Sequence, residues 1–138
     1  MTNKIRRRLL TLAAATAACA AATINVAGAM DLNAFRSANG RASLQVNATL
    51  AAMAHSHAAD MARRNTLDHS GFMTHRARAG ARAENVSYGC DDVACVIGRW
   101  SRSPPHRSNM LLPGVRGYGL ASAVSSTGRR YWALELGH

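Results

Sequence analysis

At 138 residues, with 48% apolar, 17% charged and 5% aromatic side chains, the chain is long enough for one domain and too short for two. Its apolar content excludes a disordered chain, its 11 glycines and 3 prolines exclude collagen-like and low-complexity classes, and the lack of long apolar runs after residue 29 excludes a multi-pass membrane protein. The formal charge of +10 favours anionic partners, an attraction that supplies association rate and weak affinity before it supplies specificity.

Residues 1–29 contain Lys4, Arg6, Arg7 and Arg8, no acid, an alanine-rich apolar run and the small-residue stretch NVAGA. This is the layout of a secretory signal, and Ala27 and Ala29 put the cut after Ala29. The expectation is a signal peptide over 1–29 and one domain over 30–138, exported to the periplasm or the extracellular space. A membrane anchor is the alternative, but Thr11, Thr16 and Thr23 leave the run short and weakly apolar. A lipoprotein reading through Cys19 meets Thr16 where a leucine is usual. Once the leader is removed no transmembrane span is expected. Without the leader's four cations the 17 basic residues fall to 13, all arginine, against 7 acids, a net +6. That surface is either solvated or turned toward an anionic envelope component, lipid or glycan.

Asp31 is a helix cap before Leu32, Phe35 and Ala38, and Gly40 ends that short helix. A longer helix is predicted from Asn47, with Leu50, Met53, Ala54, His57, Ala58 and Met61 on one face, closing at Arg63, Arg64 and Asn65. Asp60 is placed to pair with Arg63 or Arg64, and His57, on the apolar stripe, is expected to be a core histidine tied to Asp60. The next segment reads as loop, a short helix near Thr74 to Ala79 and a short strand near Asn85 to Tyr88. Asp91 or Asp92 then caps a helix carrying Val93, Val96, Ile97 and Trp100, which Pro104 and Pro105 are expected to stop.

Cys90 and Cys95 are the two cysteines after the leader, and an even pair behind a signal reads as a disulfide; a free or metal-bound pair is the alternative. Both cannot lie on one straight helix, where five residues separate the Cα atoms by roughly 8.6 Å, beyond the ~7 Å a bridge spans. Cys90 therefore precedes the helix. Two β-rich runs, VRGYGLASAV and RRYWALELG, flank SSTG as a hairpin. Helices first and strands last give an α+β fold, an antiparallel sheet covered by helices.

His69, Glu84 and His106 are the candidate chemical residues, expected in or beside loops, where function concentrates. Two imidazoles and a carboxylate suit an open metal site, for a divalent cation such as zinc, or an acid–base pair. His55 and His57 point about 200° apart on a helix and cannot chelate together; His75 and His138 read as solvated. Ser70 and Ser103 lack a G-x-S-x-G elbow. No P-loop, dinucleotide fingerprint or aromatic-interleaved basic motif is present, and no nucleic-acid partner is expected.

The ordered segments DLNAFR, AHSHAADMARRN, LDHS, AENVSYG, WSRSPPHRSNML, GYGLA and YWALELG resemble the CAP superfamily of cysteine-rich secretory, antigen-five and pathogenesis-related proteins, above all its small bacterial members. The resemblance spans about residues 31–137. It implies an α-β-α sandwich with a central antiparallel sheet, and a cleft where two histidines and two acids meet and some members bind a divalent ion. His69, Glu84 and His106 match three of those positions; Ser103 stands where many members carry the second acid, leaving one carboxylate and a weak metal site at His69 and His106. The family hosts carriers, binders and claimed peptidases. The expectation is a non-enzymatic binding module for lipid, glycan or protein, with a metal-assisted hydrolase using Glu84 as base the alternative.

Overall fold

The computed structural model describes residues 30–138; the expected leader lies outside them. Asp31 caps α1 (Leu32–Ala38) by accepting from the Ala34 amide at 2.7 Å. Asn47 does the same for α2 (Ala48–Arg64), through the Leu50 amide at 3.0 Å. Between them lies β1 (Gln45–Val46), a two-residue strand too short to leave a periodic signal. Helix α2 buries Leu50, Ala54, His57, Ala58, Met61 and Ala62 and ends at Asn65, whose φ of 52° is left-handed. The Asn65 side-chain oxygen accepts from the Tyr131 hydroxyl at 2.9 Å, so the cap also anchors the distant hairpin.

A wide helical turn covers Phe72–Arg76, earlier than the Thr74 to Ala79 expected, because Gly71 at φ 78° starts it. Strand β2 (Ala81–Tyr88) begins four residues ahead of the expected strand. Cys90 precedes α3 (Val93–Ser101), capped by Asp92, and the Cys90–Cys95 disulfide closes over Cα atoms 5.6 Å apart. Pro104 and Pro105 do not end the helical region. They occupy the first turn of a further helix, α4 (Pro104–Met110), where proline's missing N–H costs nothing because those amides have no intrahelical partner.

Strands β3 (Gly117–Val124) and β4 (Arg130–Gly137) form the expected hairpin. The sheet order is β1-β3-β4-β2, antiparallel throughout except for the β1–β3 pair, which is parallel; the sheet is thus mixed where an antiparallel one was expected. Both faces are covered. Trp132 and Leu134 of β4 pack with α1, α3 and α4 through Phe35, Ile97, Trp100 and Met110. The alternate residues Tyr131 and Ala133 pack with Ala54, Ala58 and Met61 of α2. The result is the α-β-α sandwich, and β4, buried on both sides, reads as a nearly unbroken apolar run. No helix among the described residues is long and apolar enough to cross a membrane.

Helix α2 rides very close to β3 at Gly119, where a Cβ would stand 2.2 Å from the Leu50 and Ala51 backbone. Gly119→Ala is expected to pry helix from sheet and destabilise by roughly 1–3 kcal/mol or more, read as a fall in the denaturant midpoint. Trp100 and Trp132 are buried, and their indole N–H groups donate to the Val86 and Cys90 carbonyls at 3.1 and 2.8 Å. Truncation of either to alanine should cost ~3–5 kcal/mol in the same measurement; near-wild-type stability would contradict a packing role.

Candidate functional site

Glu84 on β2 lies directly opposite Glu135 on β4, and both side chains are sealed from solvent. Arg76, delivered by the turn after Gly71, inserts between them: its Nε lies 2.5 Å from Glu84 Oε2 and 3.0 Å from Glu135 Oε1. His69 Nδ1 donates to Glu84 Oε1 at 2.7 Å. His57, from α2, places Nε2 3.8 Å from the same oxygen and donates to the Asp68 carbonyl at 2.8 Å. Its partner is therefore Asp68 rather than Asp60, whose carboxylate is held by both Arg63 and Arg64.

Two facing carboxyls in a low-dielectric interior cannot both ionise. Burial, then Glu84 across the strand pair, pushes Glu135 from 4.5 up to about 10, so Glu135 keeps its proton. Burial also raises Glu84, but hydrogen bonds from Glu135, Arg76 and His69 outweigh it and hold that carboxyl below its ordinary range. One anion, one neutral acid and one guanidinium share the interior.

The cluster stands at the free edge of the sheet, since β2 is an outer strand. His106 lies on α4 and Glu84 in a strand, so of the three candidates His69 alone is on a loop. Asn85, fully buried, donates to the His106 carbonyl at 2.9 Å, and Asn109 donates to the Glu84 carbonyl and to Asn85 Oδ1, binding α4 to β2. Ser103, the residue before α4, leaves the helix amides uncapped and pairs its hydroxyl with His106 Nδ1 at 2.8 Å. Burial, then the nearby His69, holds the His106 pKa below its usual value. Leu67, Val86, Tyr88, Trp100, Ser103 and His106 line a cavity of about 300 Å³ here. On the α2 side a larger cavity, about 550 Å³, reaches His57 and Arg76.

His69 bonds to Glu84 and His106 to Ser103, and Glu84 is faced by a second buried acid, Glu135, that the sequence reading did not single out. Sequence reasoning took Arg76 as one of several solvated or ion-paired arginines, with no place in the site, and missed the Asn85–Asn109 link. A glutamate interrupting the apolar run YWALELG was the available signal for Glu135. The donor set does not fit a three-ligand metal centre: both Glu84 oxygens are taken and Glu135 is protonated, which leaves the imidazoles. Among the described residues no group of three or more His, Cys, Asp or Glu side chains is arranged to hold a metal ion.

The Glu135 proton has a measurable consequence. Between pH 4.5 and about 10 the folded chain keeps a proton that the unfolded chain has lost, so stability falls as pH rises across that window. Glu135→Gln removes this dependence. The variant should melt above wild type at pH 8, the difference growing by up to about 1.4 kcal/mol for each pH unit above 4.5, and match it more closely near pH 5. An unchanged pH slope would contradict a protonated Glu135.

Comparison with known proteins follows the same lines. A family model described as the cysteine-rich secretory protein family, CAP, matches residues 31–136. Among solved structures, an outer surface protein of Borrelia burgdorferi superposes with a TM-score of 0.64 at 15% identity, over 77% of this chain and 85% of that one. An extracellular protein containing an SCP domain from Bacillus anthracis gives 0.58 at 21% identity, over 78% of this chain and 38% of that one. A cysteine-rich secretory protein from Staphylococcus aureus gives 0.57 at 22%, over 78% and 36%. No curated protein matches in sequence. At these identities the structures speak for the fold, and the family match over nearly the whole described domain makes the chain a member of the CAP family.

Proposed function

We propose that this protein is exported by a cleavable signal over residues 1–29 and works outside the cytoplasm as a binding module, its cleft around His69, Ser103 and His106 holding a ligand without transforming it. The observation that carries the reading is the engagement of Glu84, whose two oxygens are both committed, to Arg76 and to His69. A carboxylate so held is a poor general base and a good scaffold for the imidazole in front of it. The cavity offers the Ser103–His106 pair and an apolar wall from Leu67, Val86 and Tyr88, with the half-exposed His69 two residues beyond Leu67 on the same loop, a mixture of apolar lining and few polar groups that ligand sites use. Export is supported by the leader and by relatives whose descriptions are extracellular or outer-surface. The ligand class is an envelope lipid or glycan, or a protein of the same compartment.

The competing reading is a hydrolase with Glu84 as base. Beyond the commitment of Glu84, Pro104 and Pro105 follow Ser103 and supply no N–H groups for an oxyanion. The two readings separate in one experiment. Purified protein is assayed on peptide and ester libraries with and without zinc, and on lipid and glycan arrays, beside His106→Ala. The expected result is array binding that the variant weakens and no turnover above the variant's. Turnover abolished by His106→Ala would overturn the proposal.

A further inference from the structure

Carboxylates are scarce in this chain, and most of its arginines go without one. Of the seven acids, Asp60, Asp68, Glu84 and Glu135 serve Arg63, Arg64 and Arg76, Asp31 and Asp92 cap helices, and Asp91 is exposed next to the disulfide. The other arginines have no carboxylate partner among the described residues, and residues 1–29 contain no acid to supply one. Three of them, Arg41, Arg102 and Arg107, line a single cavity of about 470 Å³ between the end of α3, the outer side of α4 and the segment 111–113.

The cavity is built rather than incidental. Beneath it Arg36, 3% exposed, donates to the carbonyls of Ala42, Met110 and Leu112 at 2.9, 2.8 and 3.4 Å, stitching the segment beside Arg41 to the opposite wall. Burial, then the charge of Arg41, lowers the Arg36 pKa, which places the two cations close to one another. Arg107 stands on the border with an adjoining cavity: its guanidinium donates to Asn39 Oδ1 at 2.5 Å and lies over the Phe35 ring, 5.1 Å from the centroid, and both of those residues line the neighbouring cavity. Ser101 and Ser108 add hydroxyls, and Leu111 and Leu112 add an apolar side. No carboxylate lines the cavity, and it shares no lining residue with the cleft at His106.

We propose that this cavity is an anion site for a phosphate ester with a hydroxylated organic body, of the glycerol-phosphate or sugar-phosphate type. Guanidinium forks match tetrahedral oxyanions two oxygens at a time; the Arg41 and Arg102 side chains have no other polar partner among the described residues, Arg107 adds the N–H groups that Asn39 leaves free, and the volume exceeds that of free phosphate. The serines face hydroxyls of the ester and the leucines its carbon skeleton. The site goes beyond the cleft and does not depend on what the cleft binds.

The test uses glycerol 3-phosphate and inorganic phosphate as soluble probes, and vesicles of phosphatidylglycerol in phosphatidylcholine as the lipid arm. Arg41→Ala/Arg102→Ala is compared with Arg78→Ala/Arg82→Ala, which removes the same charge from exposed arginines elsewhere, and with His106→Ala. The expected result is glycerol 3-phosphate binding that Arg41→Ala/Arg102→Ala weakens about tenfold or more, while the charge-matched control and His106→Ala stay within about twofold. Melting curves confirm that each variant is folded. Tighter binding to vesicles than to the soluble ester, lost in the same variant, assigns the ester to a lipid headgroup; preference for the soluble ester assigns it to a free or polymeric phosphate. Equal losses in both double variants reduce the effect to net charge and overturn the site, as does an absence of binding to every probe.

Discussion

Two glutamates face each other across neighbouring strands in the interior, and the molecule is arranged around making that tolerable. An unpaired charge at such depth would cost several kcal/mol. The solution draws one cation from the loop after α2 and leaves one proton on Glu135. Because Arg76 must reach the strand pair, the loop that carries it is pulled against the sheet, and His69 comes with it. Helix α2 joins through His57, which is anchored to the same loop at the Asp68 carbonyl. Sheet, helix and loop therefore meet at a polar knot, and His69 is its half-exposed member.

Much of this architecture was legible because it rests on local chemistry. Asp31, Asn47 and Asp92 announce their helices through capping geometry that a short polar side chain alone can make. The apolar stripe of α2 and the hairpin around SSTG carry their own periods, and the spacing of Cys90 and Cys95 required a non-helical start. What escaped depended on tertiary context. Pro104 and Pro105 are equally at home after a helix and at the beginning of one, and only the packing of α4 decides. Strand β1 is two residues long and exists because β3 lies beside it. His57 was legible as buried, but its hydrogen-bond partner is a main-chain carbonyl that no spacing rule can select. Glu135 was visible as a charge in an apolar strand, yet its role needs the register that sets Glu84 opposite.

The distribution of charge follows from the same scarcity. Four of seven carboxyls are spent on three arginines and two on helix caps, so the remaining guanidiniums present an almost uncontested positive field. Whatever anionic partner this domain meets, first contact is drawn by that field and weakened by salt. Specificity is left to sites where side chains are held, and in this fold holding is done largely by main-chain carbonyls and asparagine amides rather than by acids.

Asparagine 65 shows how one position can answer to two unrelated demands. Its backbone turns left-handed to close α2, a conformation that glycine adopts freely and most residues resist. Its side chain receives the hydroxyl of Tyr131 from the far hairpin. Glycine would satisfy the first requirement and orphan the tyrosine; threonine or glutamine would offer an oxygen and fight the backbone. The vocabulary that natural drift can use there shrinks almost to asparagine itself, with aspartate behind it. In this molecule a position held to one or two letters belongs to a surface turn, where a count of buried neighbours would rank it among the most expendable.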